Sequence, residues 1–525
     1  MLAKRELGKL GANMSVAGSS VPPDVIQALV LRKLKNDAEL KLGPIRDVVI
    51  TVPAYFNEPR RKATQDAGRL AGLNVIDIIN EPTAAALAYG IQRGLITPNG
   101  EARQDETILV YDLGGGTFDV TLMDIVGHHF HTVATAGDVY LGGCDWDQAV
   151  ANHIAAHWQE KFGTNLLDDK CARQKLLSSA EEAKFSLSAR ESVVIRFNHD
   201  SQQLRLEFTR REFEAMTAPL LNRTMATTRQ VLRDAGRRWS DVSRLLLVGG
   251  STRMPMIHER LAAESELQID RSLSPDECVA HGAAVYAGML RQNPSVRQLS
   301  VCNVNSHELG ILGLDPTTRE VRRAVMIDRN TPLPTFTTKL FRTFRDSQPS
   351  VLVRVVEGGD ANGNNATVIG NCIVQDLPPG LPKQTPIEVS FSYETDGRLD
   401  IVAKLEGDIA GGSLVIERAS GLTGAELEKW KRRIENNEVL ADIEPPPVST
   451  ESGRAASPCE DPFWSAAVPD FDLREISGAV ATGPSHSQPV EPPVHVGTQN
   501  DQHPKKPVIG GGWESRRKKV TGGRS

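Results

Sequence analysis

The chain has 525 residues, with 60 Lys and Arg against 66 Asp and Glu, a net charge of −6. That length predicts several domains, and the balanced charge gives no whole-protein footprint for nucleic acid. No run of 18 apolar residues is present to form a membrane span, the Met1–Leu7 start lacks an apolar signal core, and six scattered cysteines form no C-x-x-C pair, which fits a reducing cytoplasm.

Residues 46–52 read as a strand, β-branched and closed by Pro53. Asn57-Glu58-Pro59 then reads as a helix start, with the helix running to about Gly72. A second apolar strand, Thr107 to Tyr111, is broken by Gly114-Gly115-Gly116 and resumes from Phe118 to Ile125. Helical patterns fill roughly 145–195 and 210–236, Leu245 to Val248 is a short strand, and another helix covers about Ser274 to Leu290. This alternation predicts an α/β fold. Residues 300–420 alternate with the period of strands, notably Val351 to Val356 and Ile387 to Leu405, with Asp396-Gly397 as a hairpin turn. They predict an antiparallel β domain. One helix is expected over Thr423 to Glu435. From residue 444 the composition is Pro, Ser, Gly and Glu, holding 12 of the 31 prolines, and predicts a disordered tail. Its basic end, Arg516 to Lys519, reads as a solubilising terminus or a contact for an acidic partner.

Neither G-x-x-x-x-G-K-S/T nor G-x-G-x-x-G occurs. The best phosphate candidate is Asp112-Leu113-Gly114-Gly115-Gly116-Thr117-Phe118-Asp119, set between two strands. Its glycines let backbone N–H groups approach phosphate oxygens, because no Cβ intervenes. Thr117 adds a hydroxyl, and Asp112 could hold Mg²⁺ through water. An ordinary glycine hairpin is the competing reading. Val248-Gly249-Gly250-Ser251-Thr252-Arg253 could pack against an adenine, with Arg253 stacking on it, or could simply connect a strand to a helix. Gly137 to Gly143 is a third glycine turn, and three such turns at strand ends strengthen one another.

Five motifs stand in the order found in the DnaK-type heat-shock chaperones: Ile50 to Asn57, Ile79 to Ala86, Asp112 to Asp119, Gly137 to Asp147 and Gly249 to Pro255. The chain resembles that family over about residues 1–435. The resemblance implies an actin-like (ribonuclease H-like) α/β ATPase domain at 1–292, an interdomain linker at 293–305 and a β-sandwich peptide domain at 306–422. A short helical stub at 423–443 and the disordered tail at 444–525 follow. It implies ATP or ADP with Mg²⁺ as cofactors.

The same resemblance assigns roles. Asp112 and Asp119 look like the metal-linked carboxylates, acting through water, and Thr117 like the γ-phosphate hydroxyl. Glu81 resembles the carboxylate near the attacked phosphate. Gly114, Gly115, Gly116, Gly142 and Gly143 would cradle phosphates. Glu181 and Lys184 resemble a ribose-contacting pair, and Gly249, Gly250, Ser251, Arg253 and Asp276 an adenosine wall. Pro53 and Arg61 match a relay between nucleotide state and the peptide domain. Ile311, Leu314, Phe341, Phe344 and Val351 would line the peptide cleft, although core packing is the competing role for each.

The function implied is ATP-controlled binding of unfolded or extended polypeptide in the cytoplasm, with cochaperones as partners. The alternative is a non-hydrolysing holdase or adaptor. That alternative arises because the family's first phosphate hairpin, Asp-Leu-Gly-Thr-Thr, and a lysine that orients the attacking water are expected to precede the region matching Met1. Losing both would cost orders of magnitude in rate. Cys144 replaces an acidic residue of the family. Asp77 falls where the family has a basic contact for J-domain cochaperones, which argues against coupling to an ordinary J-protein.

Overall fold

The structure is a computed structural model. It describes residues 3–9, 11–16, 19–94, 105–270, 272–291, 299–315, 317–375, 377–395, 397–405, 411–417, 422, 424–436 and 438–441. The expectations for linker residues 293–298, for Asp396 and for the tail 444–525 lie outside the described residues.

The chain opens with a one-turn helix α1 (Ala3–Glu6), a small hairpin β1 (Met14–Val16) and β2 (Ser19–Val21), and α2 (Pro23–Leu42). Strand β3 (Asp47–Val52) pairs in parallel with β4 (Asn74–Asn80) across helix α3 (Glu58–Leu70). The start of α3 is fixed as the sequence predicts: Asn57 Oδ1 accepts from the Arg60 amide at 3.3 Å, and Pro59 sits in the first turn. Helix α4 (Glu81–Gln92) follows β4 directly.

The central sheet contains β5 (Glu106–Leu113), β6 (Phe118–Val126) and β7 (His129–Asp138), paired antiparallel in sequence. Helices α5 (Gly143–Phe162) and α6 (Lys170–Ala189), the hairpin β8 (Ser192–His199) and β9 (Gln202–Thr209), and α7 (Arg210–Asp234) come next. Strand β10 (Arg244–Val248) joins β5 in parallel; α8 (Pro255–Ser265), β11 (Ile269–Asp270) and α9 (Cys278–Leu290) complete this part. The sheet order is β11-β10-β5-β6-β7-β12, where β12 (Ser300–Cys302) comes from the segment expected as linker.

Strand β5 is buried on both faces, which is why it reads as an unbroken apolar run rather than an alternation. Leu109, Tyr111 and Leu113 enter one core with α5, α6 and α7. Ile108 and Val110 enter another with α4 and α9. The small residues Ala84, Ala85 and Ala86 let those two helices touch. A Cβ on Gly282 of α9 would lie 1.7 Å from the Ala84 carbonyl oxygen.

The second part has two four-stranded antiparallel sheets. One runs β14 (Val321–Ile327), β13 (Leu309–Leu314), β16 (Val351–Glu357), β17 (Thr367–Val374). The other runs β15 (Thr335–Arg342), β18 (Pro386–Tyr393), β19 (Arg398–Leu405), β20 (Gly411–Glu417). Residues of both sheets, including Val355, Val389, Phe391 and Ile401, share one core. Helix α10 (Gly424–Glu435) matches the predicted helix and is followed by α11 (Glu438–Ala441). Leu427, Trp430 and Ile434, spaced as one helical face, pack on Val25, Ala28, Ala67 and Leu70 of α2 and α3.

Replacing Gly282 by Ala should cost about 3 kcal/mol, the upper end for overpacking, because the obstacle is backbone that cannot rotate away. Chemical denaturation of the two proteins reads this directly.

Candidate functional site: a glycine-lined cleft over a carboxylate cluster

The three glycine turns of the sequence meet at one place. The Gly114 amide donates to Thr117 O at 3.1 Å, which closes the turn between β5 and β6. The Gly143 and Cys144 amides, at the start of α5, donate to Gly114 O and Gly115 O, both at 2.9 Å. Ser251 Oγ, from the turn after β10, donates to Gly114 O at 3.0 Å. The packing needs glycine at Gly142, where a Cβ would come within 2.5 Å of the Gly116 backbone. It needs glycine again at Gly249, whose φ of +85° and closeness to Leu113 O exclude a side chain.

Beneath the turns lies a charge cluster. Asp112 is the last residue but one of β5 and Asp119 the second of β6, directly opposite each other in the ladder, and both are buried. Burial, reinforced by Glu81 and by the mutual repulsion of the two aspartates, holds Asp112 well above the usual carboxylate range. Burial and then Glu81 push Asp119 up to about 7, although the Tyr55 amide donates to its Oδ1 at 2.9 Å. Glu81, at the first turn of α4, is bound by Lys4 Nζ at 3.0 Å. Burial works against the Lys4 ammonium, yet Glu81, Asp112 and Asp119 together keep its pKa above the ordinary lysine value.

Lys4 corrects the expectation that no lysine of this chain serves the cluster. It projects from α1, a helix of four residues. Its neighbour Arg5 bonds Gly116 O at 2.7 Å through Nε and reaches both Asp145 oxygens, at 3.2 and 2.5 Å. Neither residue belongs to a glycine or carboxylate motif of the sequence. A charge count at the site is the signal that finds them: three carboxylates converge with no basic residue in any of their motifs.

The other expected residues fall as follows. Thr117 is buried at the turn. Lys184 on α6 pairs with Asp147 at 2.7 Å and donates to Gly143 O at 3.2 Å, so it lies at the cleft. Glu181 is exposed on the same helix. Burial raises the pKa of Asp147, Lys184 lowers it, and Glu181 adds to the rise. Arg253 pairs with Asp276 at 2.5 Å, and Gly250 lies against that Asp276 carboxylate. Pro53 begins the loop that Arg61 ties down: Arg61 donates to Ala54 O at 3.2 Å, Phe56 O at 3.1 Å and Asn80 Oδ1 at 2.7 Å. Asp77 accepts from Tyr286 Oη at 2.8 Å. In the β part, Ile311 is core, Phe341 and Val351 are half-buried against that core, and Leu314 and Phe344 are exposed.

The family model described as "Hsp70 protein" matches residues 1–444. The chain belongs to the Hsp70 family. It is similar to the chaperone protein DnaK of two Halobacterium salinarum strains, at 38% identity over 443 residues, 82% of this chain and 67% of theirs. It is also similar to the chaperone protein dnaK1 of Synechocystis sp., at 39% identity over 429 residues, 80% of this chain and 60% of that one. The chain thus spans about two thirds or less of the length of these relatives.

Membership of the Hsp70 family implies a nucleotide with Mg²⁺, and the residues fit both. Three carboxylates face one ammonium, an oxygen-donor set that suits a hard dication. Among the described residues no group of three or more His, Cys, Asp and Glu side chains is placed to hold a metal ion directly. Gly142→Ala should wedge the α5 start away from the Gly114–Gly116 turn. Titration with a fluorescent ATP analogue should show affinity lowered by about tenfold or more, with the fold kept by circular dichroism.

Proposed function

We propose that this Hsp70-family chain is an ATP-dependent molecular chaperone that binds unfolded or extended polypeptides, with nucleotide state setting its peptide affinity. The observation that carries the reading is the Lys4–Glu81 pair standing beside Asp112 and Asp119 under three interlocked glycine turns. Phosphoryl transfer needs positioning and charge stabilisation more than covalent chemistry, and this arrangement offers both.

In this reading the Gly115 and Gly116 amides and the Thr117 hydroxyl hold the phosphates, and Gly114, Gly142 and Gly143, whose amides close the turns, line the pocket. Lys4 orients the attacking water against the γ-phosphate, and Glu81 fixes the Lys4 ammonium. Asp112 and Asp119 hold Mg²⁺ through its waters; the ion, when bound, neutralises phosphate charge. Lys184 and Glu181 face the ribose, and Gly249, Gly250, Ser251, Arg253 and Asp276 form the adenosine wall. A non-hydrolysing holdase or adaptor is not favoured, since the relatives are named as DnaK chaperones and Lys4 supplies the cation whose expected absence motivated it.

A route from this site to the β part supports the coupling. The Tyr55 amide bonds Asp119, and the Tyr55 carbonyl accepts from His307 Nε2 at 3.0 Å, just before β13. Arg61 braces the same loop against Asn80, the neighbour of Glu81. We assign residues 1–292 to the nucleotide domain and 306–422 to a β-sandwich peptide domain, with Ile311, Leu314, Phe341, Phe344 and Val351 at or near the peptide cleft. J-domain cochaperones are less favoured partners, because Asp77 is acidic and engaged by Tyr286. No described helix is long and apolar enough to cross a membrane, and the cytoplasm is the proposed compartment.

Single-turnover hydrolysis of ATP tests the reading. The wild type should hydrolyse ATP above the buffer rate, and Lys4→Ala should lose about 10²- to 10³-fold while still binding nucleotide. A wild-type rate equal to buffer contradicts the enzyme reading.

A further inference from the structure

The contact between the α/β part and the β part holds two acids side by side. Glu58, the first residue of α3, and Glu357, the last of β16, are 3% and 6% exposed. The Glu58 amide donates to Glu357 Oε2 at 3.0 Å, and Tyr393 Oη of β18 donates to Glu58 Oε1 at 2.8 Å. Glu58 Oε2 is buried with no hydrogen-bond partner. Two charged carboxylates in such a place repel each other and lose their hydration.

The surroundings do not neutralise them. Arg61 Nε is 3.9 Å from Glu58 Oε1, but its guanidinium hydrogen-bonds to Phe56 O, Ala54 O and Asn80. Arg60 turns its Nη2 to Tyr140 Oη at 3.1 Å. Arg329 is paired with Asp234, and Arg323 with Glu308. His307 gives its Nε2 proton to Tyr55 O; burial, with Arg60, Arg61 and Arg329 nearby, lowers its pKa to about 4, so it stays neutral. Tyr55 and Tyr393 are both held protonated, first by burial. A cavity of about 40 Å³ lined by Glu58, Arg61, Asn80, Glu357 and Tyr393 has room for only a few waters, and a larger one of about 550 Å³ reaches Glu357 beside Tyr55, His307 and Arg329.

We propose that docking of the β part on the α/β part takes up a proton at the Glu58–Glu357 pair, which makes the docked arrangement sensitive to pH. The proton sits on Glu357, which removes the repulsion between the two acids. Separation of the two parts exposes both acids to water, and the proton leaves. Burial, then Glu58, raises Glu357 from its ordinary 4.5 to about 8 in the docked form. An acid whose docked pKa is raised favours docking at low pH. That advantage is complete below about 4.5 and is lost as pH rises through about 8. Within that window the docking constant falls about tenfold per pH unit.

The inference rests on the proposed coupling only in taking the two parts to separate, and it stands whether or not ATP is hydrolysed. Hydrogen exchange of the full chain tests it at about pH 5.5 and about pH 7.5. Rates are corrected for intrinsic exchange, and the core peptide 108–113 serves as internal reference. Protection of peptides 53–62 and 351–358 should fall about a hundredfold between those values in the wild type, with the reference unchanged. In Glu357→Gln, whose amide is neutral at both values, the fall should vanish and protection at the higher pH should rise. Should that variant lose protection in the reference peptide, Glu357→Ala, which also removes the titrating carboxyl, is read in the same way. Equal wild-type protection at both values overturns the proposal, as does a fall that persists in a folded Gln variant.

Discussion

The ammonium of Lys4 is the charge on which the α/β part depends. Glu81, Asp112 and Asp119 arrive from a helix start and two facing strand ends, and burial alone would make three carboxylates there intolerable. One cation from a four-residue helix offsets part of that cost, and the raised pKa values of Asp112 and Asp119 express the rest. Carboxylates left in that state form a donor set that suits a hard dication. The glycine turns above complete the pocket by offering backbone where side chains would collide.

A second consequence follows from where those carboxylates are anchored. Asp119 is held by the Tyr55 amide, and the same peptide unit's neighbourhood carries the contact to His307, Glu58 and Glu357. Charge at the carboxylate cluster and contact with the β part therefore share one short loop, residues 53–57, pinned by Arg61. The interface is polar and poorly compensated rather than greasy. Such a contact can open and close at modest cost, in contrast with the dry cores on either side of it.

Much of this was legible in the sequence. The strands around Gly114–Gly116 and Gly249–Gly250 and the helix capped by Asn57 lie where period and turn chemistry predict them. Other elements were missed for identifiable reasons. The hairpin β8–β9 alternates clearly, with Ile195, Phe197, Leu204 and Phe208 inward, but its first strand follows a long helix and was absorbed into that helix's pattern. Helix α2 carries apolar residues on several faces, Val30, Leu34, Leu40 and Leu42 among them exposed, so no single apolar stripe announces it. Strand β12 looked like a polar connection because three residues give no period, and only pairing with His129–His131 makes them a strand. Lys4 was invisible for a deeper reason. Nothing local marks a lone lysine; its role exists only in relation to acids about 80 to 115 positions away.

The claim at the centre of this account is that one loop transmits nucleotide state to the β part. The dissociation rate of a fluorescently labelled extended peptide from the full chain, with ATP against ADP, tests it most directly. Release at least about tenfold faster with ATP is the predicted result, a coupling free energy of ordinary size. Equal release with the two nucleotides, both shown to be bound, would contradict it.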